Sequence, residues 1–173
     1  MKLDVMCNKQ DEYYSPKYSI KPLLPYLKKF NTIWCPFDTD KSWYVKLLKK
    51  DGHDVINTHI DNGQDFFSTY VECDAIVSNP PYSLRNNILK RLFKLDKPFA
   101  MLVSWAGIFE SQTRFELFKN NNFEIMCFNK RISFFRSYEE EKPTSNPPFS
   151  MVYVCHNILP EKIVFEYIDK GDY

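Results

Sequence analysis

The chain is expected to fold as a single α/β domain built on a mostly parallel β-sheet with helices on both faces. Three observations predict this. Short apolar runs alternate along the sequence with stretches whose apolar residues recur at helical spacing. At 173 residues, 44% hydrophobic and 17% aromatic, there is material for one substantial core and little room for a second folded domain, so residues 1–173 read as one unit. The apolar run Ala75-Ile76-Val77 delivers a stiff loop, Asn79-Pro80-Pro81-Tyr82, at a strand end, and open α/β sheets bind their ligands at the carboxyl ends of strands.

In chain order, Ser15-Pro16 suits a helix cap and a first-turn proline. Ile20, Leu23, Leu24 and Leu27 follow at helical spacing, with Pro22 and Pro25 placed to split the segment into short pieces. A strand is expected over 32–37. A short helix over 42–50 stops at Gly52, and a second strand covers 54–60. The third strand, 74–78, leads through the proline loop into a helix carrying Leu84, Ile88, Leu89, Leu92 and Leu95 on one face. Arg85, Lys90, Arg91 and Lys94 fill most of the other face, which reads as a solvated surface or as a rail for phosphates. A strand over 99–105, a helix over 112–120 and two late strands over 124–135 and 150–157 complete the pattern, with no internal repeat.

Composition narrows the function classes. A formal charge of +1 provides no overall basic field, so any nucleic-acid contact must be local. Five cysteines (Cys7, Cys35, Cys73, Cys127 and Cys155), an odd number with no CxxC pair, suit reduced thiols in a cytoplasmic protein better than disulfides or a metal site. No apolar stretch approaches the roughly 20 residues that span a bilayer, and the start of the chain lacks the apolar core of a signal peptide. With four glycines and no Gly-x-Gly-x-x-Gly, a nucleotide-dependent oxidoreductase on a similar sheet is disfavoured.

The proline loop suits methyl transfer to a planar amine. The lone pair of such an amine is delocalised into its ring, and two fixed acceptors, the Asn79 side-chain oxygen and the Pro80 carbonyl, would draw it out as the nitrogen becomes tetrahedral. Pro80 and Pro81 fix φ and remove backbone donors, which holds the acceptors in place. Tyr82 offers a ring face to a base flipped out of its helix. The plainer reading is an ordinary turn. A second copy, Asn146-Pro147-Pro148-Phe149, precedes the apolar run 151–155 instead of following one, and reads as a loop entering a strand.

In their order, Tyr14-Ser15-Pro16, Trp34-Cys35-Pro36-Phe37-Asp38, Asp65-Phe66-Phe67 and Asn79-Pro80-Pro81-Tyr82-Ser83 resemble the S-adenosylmethionine-dependent adenine-specific (N6) DNA methyltransferases, especially small phage-encoded ones. The resemblance covers about residues 12–155. It implies the Rossmann-like class I methyltransferase fold, a seven-stranded sheet whose last strand runs antiparallel, with cofactor and target meeting at the ends of the first and fourth strands. It implies catalysis by Asn79, Pro80, Pro81 and Tyr82, and S-adenosylmethionine held by Tyr14, Ser15, Pro16, Pro36, Phe37, Asp38, His59, Asp65, Phe66 and Asn79. Residues 1–30 would close over the cofactor. DNA would be met by Tyr82 and Ser83 and by a recognition loop over 130–149 that includes Lys130, Arg131 and Arg136. Methylation of RNA, of cytosine N4 or of a protein glutamine, and a noncatalytic binding module or partner subunit, are the alternatives.

The chain departs from that family in its cofactor loop. Cys35 stands where an acid is usual, Thr39 and Lys41 stand where glycines belong, and residues 1–50 contain no glycine. Either the loop has another shape or it binds cofactor weakly. Asp38 or Asp40 could supply a carboxylate to the methionine ammonium group, or Asp38 could cap the following helix. His59 stands where an acid would hold the ribose, with Asp61 two residues on, and could bond a ribose or serve structure alone.

Overall fold

Seven strands form one sheet in the computed structural model, which describes residues 13–173. They are β1 (Thr32–Cys35), β2 (Asp54–Asn57), β3 (Ala75–Ser78), β4 (Phe99–Ser104), β5 (Glu124–Phe128), β6 (Met151–His156) and β7 (Ile163–Glu166), in the spatial order β2-β1-β3-β4-β6-β5-β7. Parallel pairs join β1 to β2 and β3, β3 to β4, and β5 to β7, whereas β6 is antiparallel to β4 and β5. The mostly parallel sheet with one reversed strand is therefore as expected, and the reversed strand is the one anticipated over 150–157.

One strand more follows it. β7 lies parallel to β5 at the sheet edge, so the antiparallel strand is next to last in the chain, not last. β7 turns Ile163 (53% exposed) and Phe165 (78% exposed) to solvent, the reverse of the alternation that marks a half-buried strand. Residues 58–74 form no strand, so the Asn-Pro-Pro-Tyr loop follows the third strand of the chain instead of the fourth.

Helices cover both faces because successive strand residues point opposite ways. On one face, Ile33, Val77 and Leu102 of the sheet pack with Ile20, Leu23, Leu27 and Leu48. These come from α1 (Lys17–Ile20), a 3-10 turn (Lys21–Leu23), α2 (Leu24–Leu27) and α3 (Trp43–Lys50). On the other face, Trp34, Ile76 and Met101 meet Ile88, Leu89, Leu92 and Phe93 of α4 (Arg85–Leu95) and Phe118 of α5 (Gln112–Asn120). Pro22 and Pro25 divide the first helical stretch as anticipated. Ser15 is not its cap: Pro16 takes that position with extended backbone, and Ser19 Oγ donates to the Pro16 carbonyl. Ser42 does cap α3, accepting from Tyr44 N, and Gly52 ends that helix at φ +98°.

Two anticipated strands end early. After Asn57 the chain turns into a 3-10 turn at Ile60–Asn62, and β5 stops at Phe128 instead of reaching 135. The apolar alternation beyond 128 has another cause. Ile132 and Phe134 plug the core from a loop pinned by paired backbone bonds between Phe134 and Ser145. Phe134→Ala is expected to cost about 3–5 kcal/mol, read from denaturant midpoints at unchanged slope. A cost under about 1 kcal/mol would show that this loop is not part of the core.

Cys35, Cys73 and Cys155 are buried thiols and Cys127 is half-buried; Cys7, like residues 1–12 of the expected closing segment, lies outside the described residues. Among the described residues no helix is long and apolar enough to cross a membrane.

Candidate functional site

From β1 the chain passes to β2 on one side, then returns to place β3 on the other side of β1. The order reverses there, and the crevice between the carboxyl ends of β1 and β3 is where such sheets bind ligands. A cavity of about 1110 Å³ opens at this point, bounded by Pro36, Phe37 and Asp38 after β1 and by Asn79, Pro80 and Pro81 after β3. Its size is just above the roughly 300–1,000 Å³ usual for ligand pockets, more than one nucleoside-sized molecule fills.

Asp38 is the central charge. It is 7% exposed, accepts from Ser42 Oγ at 2.5 Å and from Ser78 Oγ, and so ties the β1 loop to the start of α3 and the end of β3. It does not cap α3, since Ser42 does. Burial pushes its carboxyl up to about 6, against the lowering effect of the two serine bonds and of His59. No ion pair to Asp38 exists among the described residues, so a buried carboxylate lines the cavity without a cation. The loop that carries it makes its turn without left-handed backbone: among the described residues the non-glycine residues at positive φ are Asp96 and Asn157. Asp38 N donates to the Thr58 carbonyl and Asn57 Nδ2 to the Asp38 carbonyl, anchoring the loop on the end of β2. The loop thus holds its turn without glycines.

Asn79 carries the second unusual group. Its Nδ2 donates to the Tyr13 carbonyl at 2.8 Å, which fixes the amide plane, and its Oδ1 is buried with no hydrogen-bond partner. A buried orphan acceptor costs about 1–3 kcal/mol and calls for a reason. Tyr13 lies over this corner, its ring stacked on Tyr82 at 5.5 Å and 27°. Tyr82 sits beside the cavity instead of lining it, with Phe149 edge-on at 6.4 Å and its hydroxyl against Met151 Sδ. Ser83 is exposed.

The remaining anticipated cofactor residues divide. Tyr14 and Ser15 line the cavity, whereas Pro16 is buried away from it. His59 lines it too, but its Nδ1 accepts from Asp61 N and caps the turn at Ile60–Asn62, which supports the structural role. Asp65 Oδ1 accepts from Phe67 N, and Phe66, 2% exposed, packs between Trp34, Phe37 and Arg91 at the cavity edge.

Lys130, Arg131 and Arg136 are exposed and none lines the cavity. Arg131 donates to the Pro148 carbonyl, and Arg136 N to Glu140. What the segment between β5 and β6 brings to the cavity is Phe135, Tyr138 and the acidic run Glu139–Glu141. The Asn146-Pro147 copy behaves as a loop: Asn146 accepts from Ser133 Oγ on the way into β6. Sequence reasoning missed Tyr13, which no motif marks, and left the basic face of α4 open between a solvated surface and a phosphate rail. Asn87, Lys90, Arg91 and Lys94, spaced i, i+3, i+4 and i+7, all line the cavity, whereas Arg85 is drawn off to the carbonyls of Ser104 and Ala106.

No protein-family model and no curated protein matches the chain. Among solved structures a similar chain is a Listeria monocytogenes protein, itself only provisionally assigned as a class I S-adenosylmethionine-dependent methyltransferase. The likeness has a TM-score of 0.47 and 12% identity, and covers 89% of this chain and 65% of that one. This chain thus spans just under two thirds of that protein's length, and a likeness this distant carries no weight in the argument for function.

Proposed function

We propose that the protein transfers a methyl group from S-adenosylmethionine to an exocyclic amine, with N6 of adenine in DNA as the substrate. The observation that carries this reading is the buried, unpartnered Oδ1 of Asn79 at the crevice between β1 and β3. An acceptor kept without a donor suits a donor that arrives with the substrate, and an amine provides one. The residues present also fit the cofactor. Asp38, a buried carboxylate lacking a cation, suits the methionine ammonium group, and the aromatic edge at Phe37 and Phe66 suits a purine ring.

Bound there, the cofactor would supply an electrophilic methyl on a positive sulfur. The chain's own residues then prepare the nucleophile. The target ring takes the place of the Tyr13 ring on Tyr82, and its NH2 donates to Asn79 Oδ1 and to the Pro80 carbonyl. Both acceptors gain strength as the nitrogen lone pair leaves conjugation, so they favour the transition state over the ground state. Pro80 and Pro81 keep the corner stiff, and the Asn79–Tyr13 bond keeps the oxygen, not the nitrogen, toward the substrate. No side-chain base is needed, because the methylated nitrogen releases its proton to water.

Incubation with tritiated S-adenosylmethionine and unmodified DNA is expected to label adenine at N6. Label appearing instead in RNA, in cytosine or in protein glutamine would move the substrate while keeping the site. No label in any acceptor, together with no binding of S-adenosylhomocysteine at millimolar concentration, would leave a noncatalytic module.

A further inference from the structure

We infer that the cavity-facing side of α4 is a phosphate track that holds the nucleic-acid strand on which the target base lies. Three cations on this one helix face, Lys90, Arg91 and Lys94, line the cavity together with Asn87, while the opposite face (Ile88, Leu89, Leu92, Phe93) is buried against the sheet. Arg91 is committed, donating to the Thr69 carbonyl and lying over the Phe66 ring at 5.3 Å. Lys90 and Lys94 are exposed and make no ion pair among the described residues, whereas Lys97, just beyond the helix, pairs with Glu72 at 3.1 Å.

Elsewhere the cavity is lined by Lys41 and Lys46 at the α3 side, by Asp38 and Asp65, and by the acidic Glu139–Glu141. α4 presents three cations and no carboxylate, whereas the two lysines at the α3 side stand next to the buried Asp38, which Ser42 holds. S-adenosylmethionine carries net positive charge and has one carboxylate, so it has no use for this wall. A strand with a phosphate per nucleotide does.

Position supports the same reading. α4 begins at Arg85, directly after the turn Tyr82–Leu84 that carries the proposed base platform. At about 1.5 Å per residue, Lys90 lies about 8 Å and Lys94 about 14 Å along the helix from that start, so the two residues are staged about 6 Å apart along its axis. Phosphates flanking a base held at Tyr82 would run out along this line. The track also explains how a chain of net charge +1 could hold a polyanion, since the contact is local. The anticipated 130–149 loop brings Phe135, Tyr138 and the acidic Glu139–Glu141 to the cavity and not its cations Lys130, Arg131 and Arg136.

The inference rests on the methyl-transfer reading only for what the strand delivers, and its test is a binding measurement. Lys90→Gln/Lys94→Gln is compared with the parent protein for binding of a fluorescent adenine-containing DNA strand across 50–300 mM salt, and of S-adenosylhomocysteine by calorimetry. Lys50→Gln/Lys119→Gln, which removes the same charge from exposed positions outside the cavity, serves as control. The expected result is a DNA affinity about tenfold lower or more at the low-salt end, a salt slope shallower by about 1.5–2, and unchanged S-adenosylhomocysteine affinity. The control should bind DNA as the parent does, and an RNA strand of the same sequence should lose affinity in parallel. DNA affinity and slope unchanged in the α4 variant, or lowered equally in the control, would overturn the track. Absence of S-adenosylhomocysteine binding by the parent would defeat the methyl-transfer reading and leave the salt slopes to decide the track by themselves.

Discussion

The Asn79→Ala variant is expected to lose methyl transfer by about 10²- to 10³-fold, the usual effect of deleting one group aimed at charge that develops in the transition state. The loss should fall on kcat, because Oδ1 is proposed to act on the amine as it reacts and not on the cofactor. Stability should change little. The oxygen that is removed makes no bond, so its loss relieves a buried orphan, and the carbonyl of Tyr13, near the first described residue, is the single partner left without its donor. Asn79→Asp separates geometry from chemistry. It keeps an acceptor but gives up the donor that orients it toward Tyr13, and should also be impaired. Single-turnover rates and S-adenosylhomocysteine titrations on the two variants give the check. A variant lacking Oδ1 that still turns over within tenfold of the parent would remove Asn79 from the mechanism.

Asp38→Asn is expected to stabilise the protein at neutral pH and to weaken cofactor binding. Burial raises the carboxyl of Asp38 from its model-compound value of 3.8 to about 6. A rise of about two units, at about 1.4 kcal/mol per unit, means that keeping this group ionised in the folded state costs about 3 kcal/mol above pH 7. The sign follows from which form the fold prefers. The protonated acid is favoured in the native state, so the contribution is fully present below 3.8 and is lost as pH rises through about 6. Asparagine can accept from one of Ser42 and Ser78 and donate to the other, and it carries no charge to desolvate. Denaturant midpoints for parent and variant should therefore agree near pH 4 and separate in the variant's favour by up to about 3 kcal/mol at pH 8. Cofactor affinity should show the opposite trend. In the parent it should fall as pH drops through about 6 and the carboxylate is neutralised; in the variant it should be weak and flat. A group that destabilises the fold yet strengthens binding marks a site maintained for a ligand. If the variant proved less stable at pH 8, Asp38 would be a structural strut instead.

Much of this arrangement is legible in the amino-acid pattern, and the parts that are not share a physical cause. The strand carrying Ala75, Ile76 and Val77 and the stiff loop after it are local features, set by a buried apolar run and two prolines. The Gly52 stop is equally local, whereas the cap of α3 falls to Ser42 and not to the Asp38 that the sequence offered. The β7 edge was hidden because its large apolar side chains, Phe165 above all, face solvent, so periodicity there misreports burial. The run after Phe128 misleads in the other direction: Ile132 and Phe134 are core residues supplied by a loop.

Within the site, the positions of Asp38 and Asn79 could be read, but not their condition. The serine that completes the Asp38 cage lies 40 residues away, at the end of β3. The carbonyl that orients Asn79 lies 66 residues away. The first is brought in by the parallel pairing of β1 with β3 and the second by the bridge between Tyr14 and Phe135, neither of which a local pattern encodes. The polar spacing of Asn87, Lys90, Arg91 and Lys94 was visible as a helix face, and only the tertiary fold turns that face into a cavity wall.

A crystal structure with S-adenosylhomocysteine bound tests the central claim most directly. The account predicts the ammonium group against the Asp38 carboxylate, the adenine at the Phe37–Phe66 edge, and the sulfur facing the corner formed by Asn79 Oδ1 and the Pro80 carbonyl. Ligand density elsewhere on the molecule, or a sulfur turned away from that corner with Asn79 Oδ1 still sealed beneath Tyr13, would contradict it.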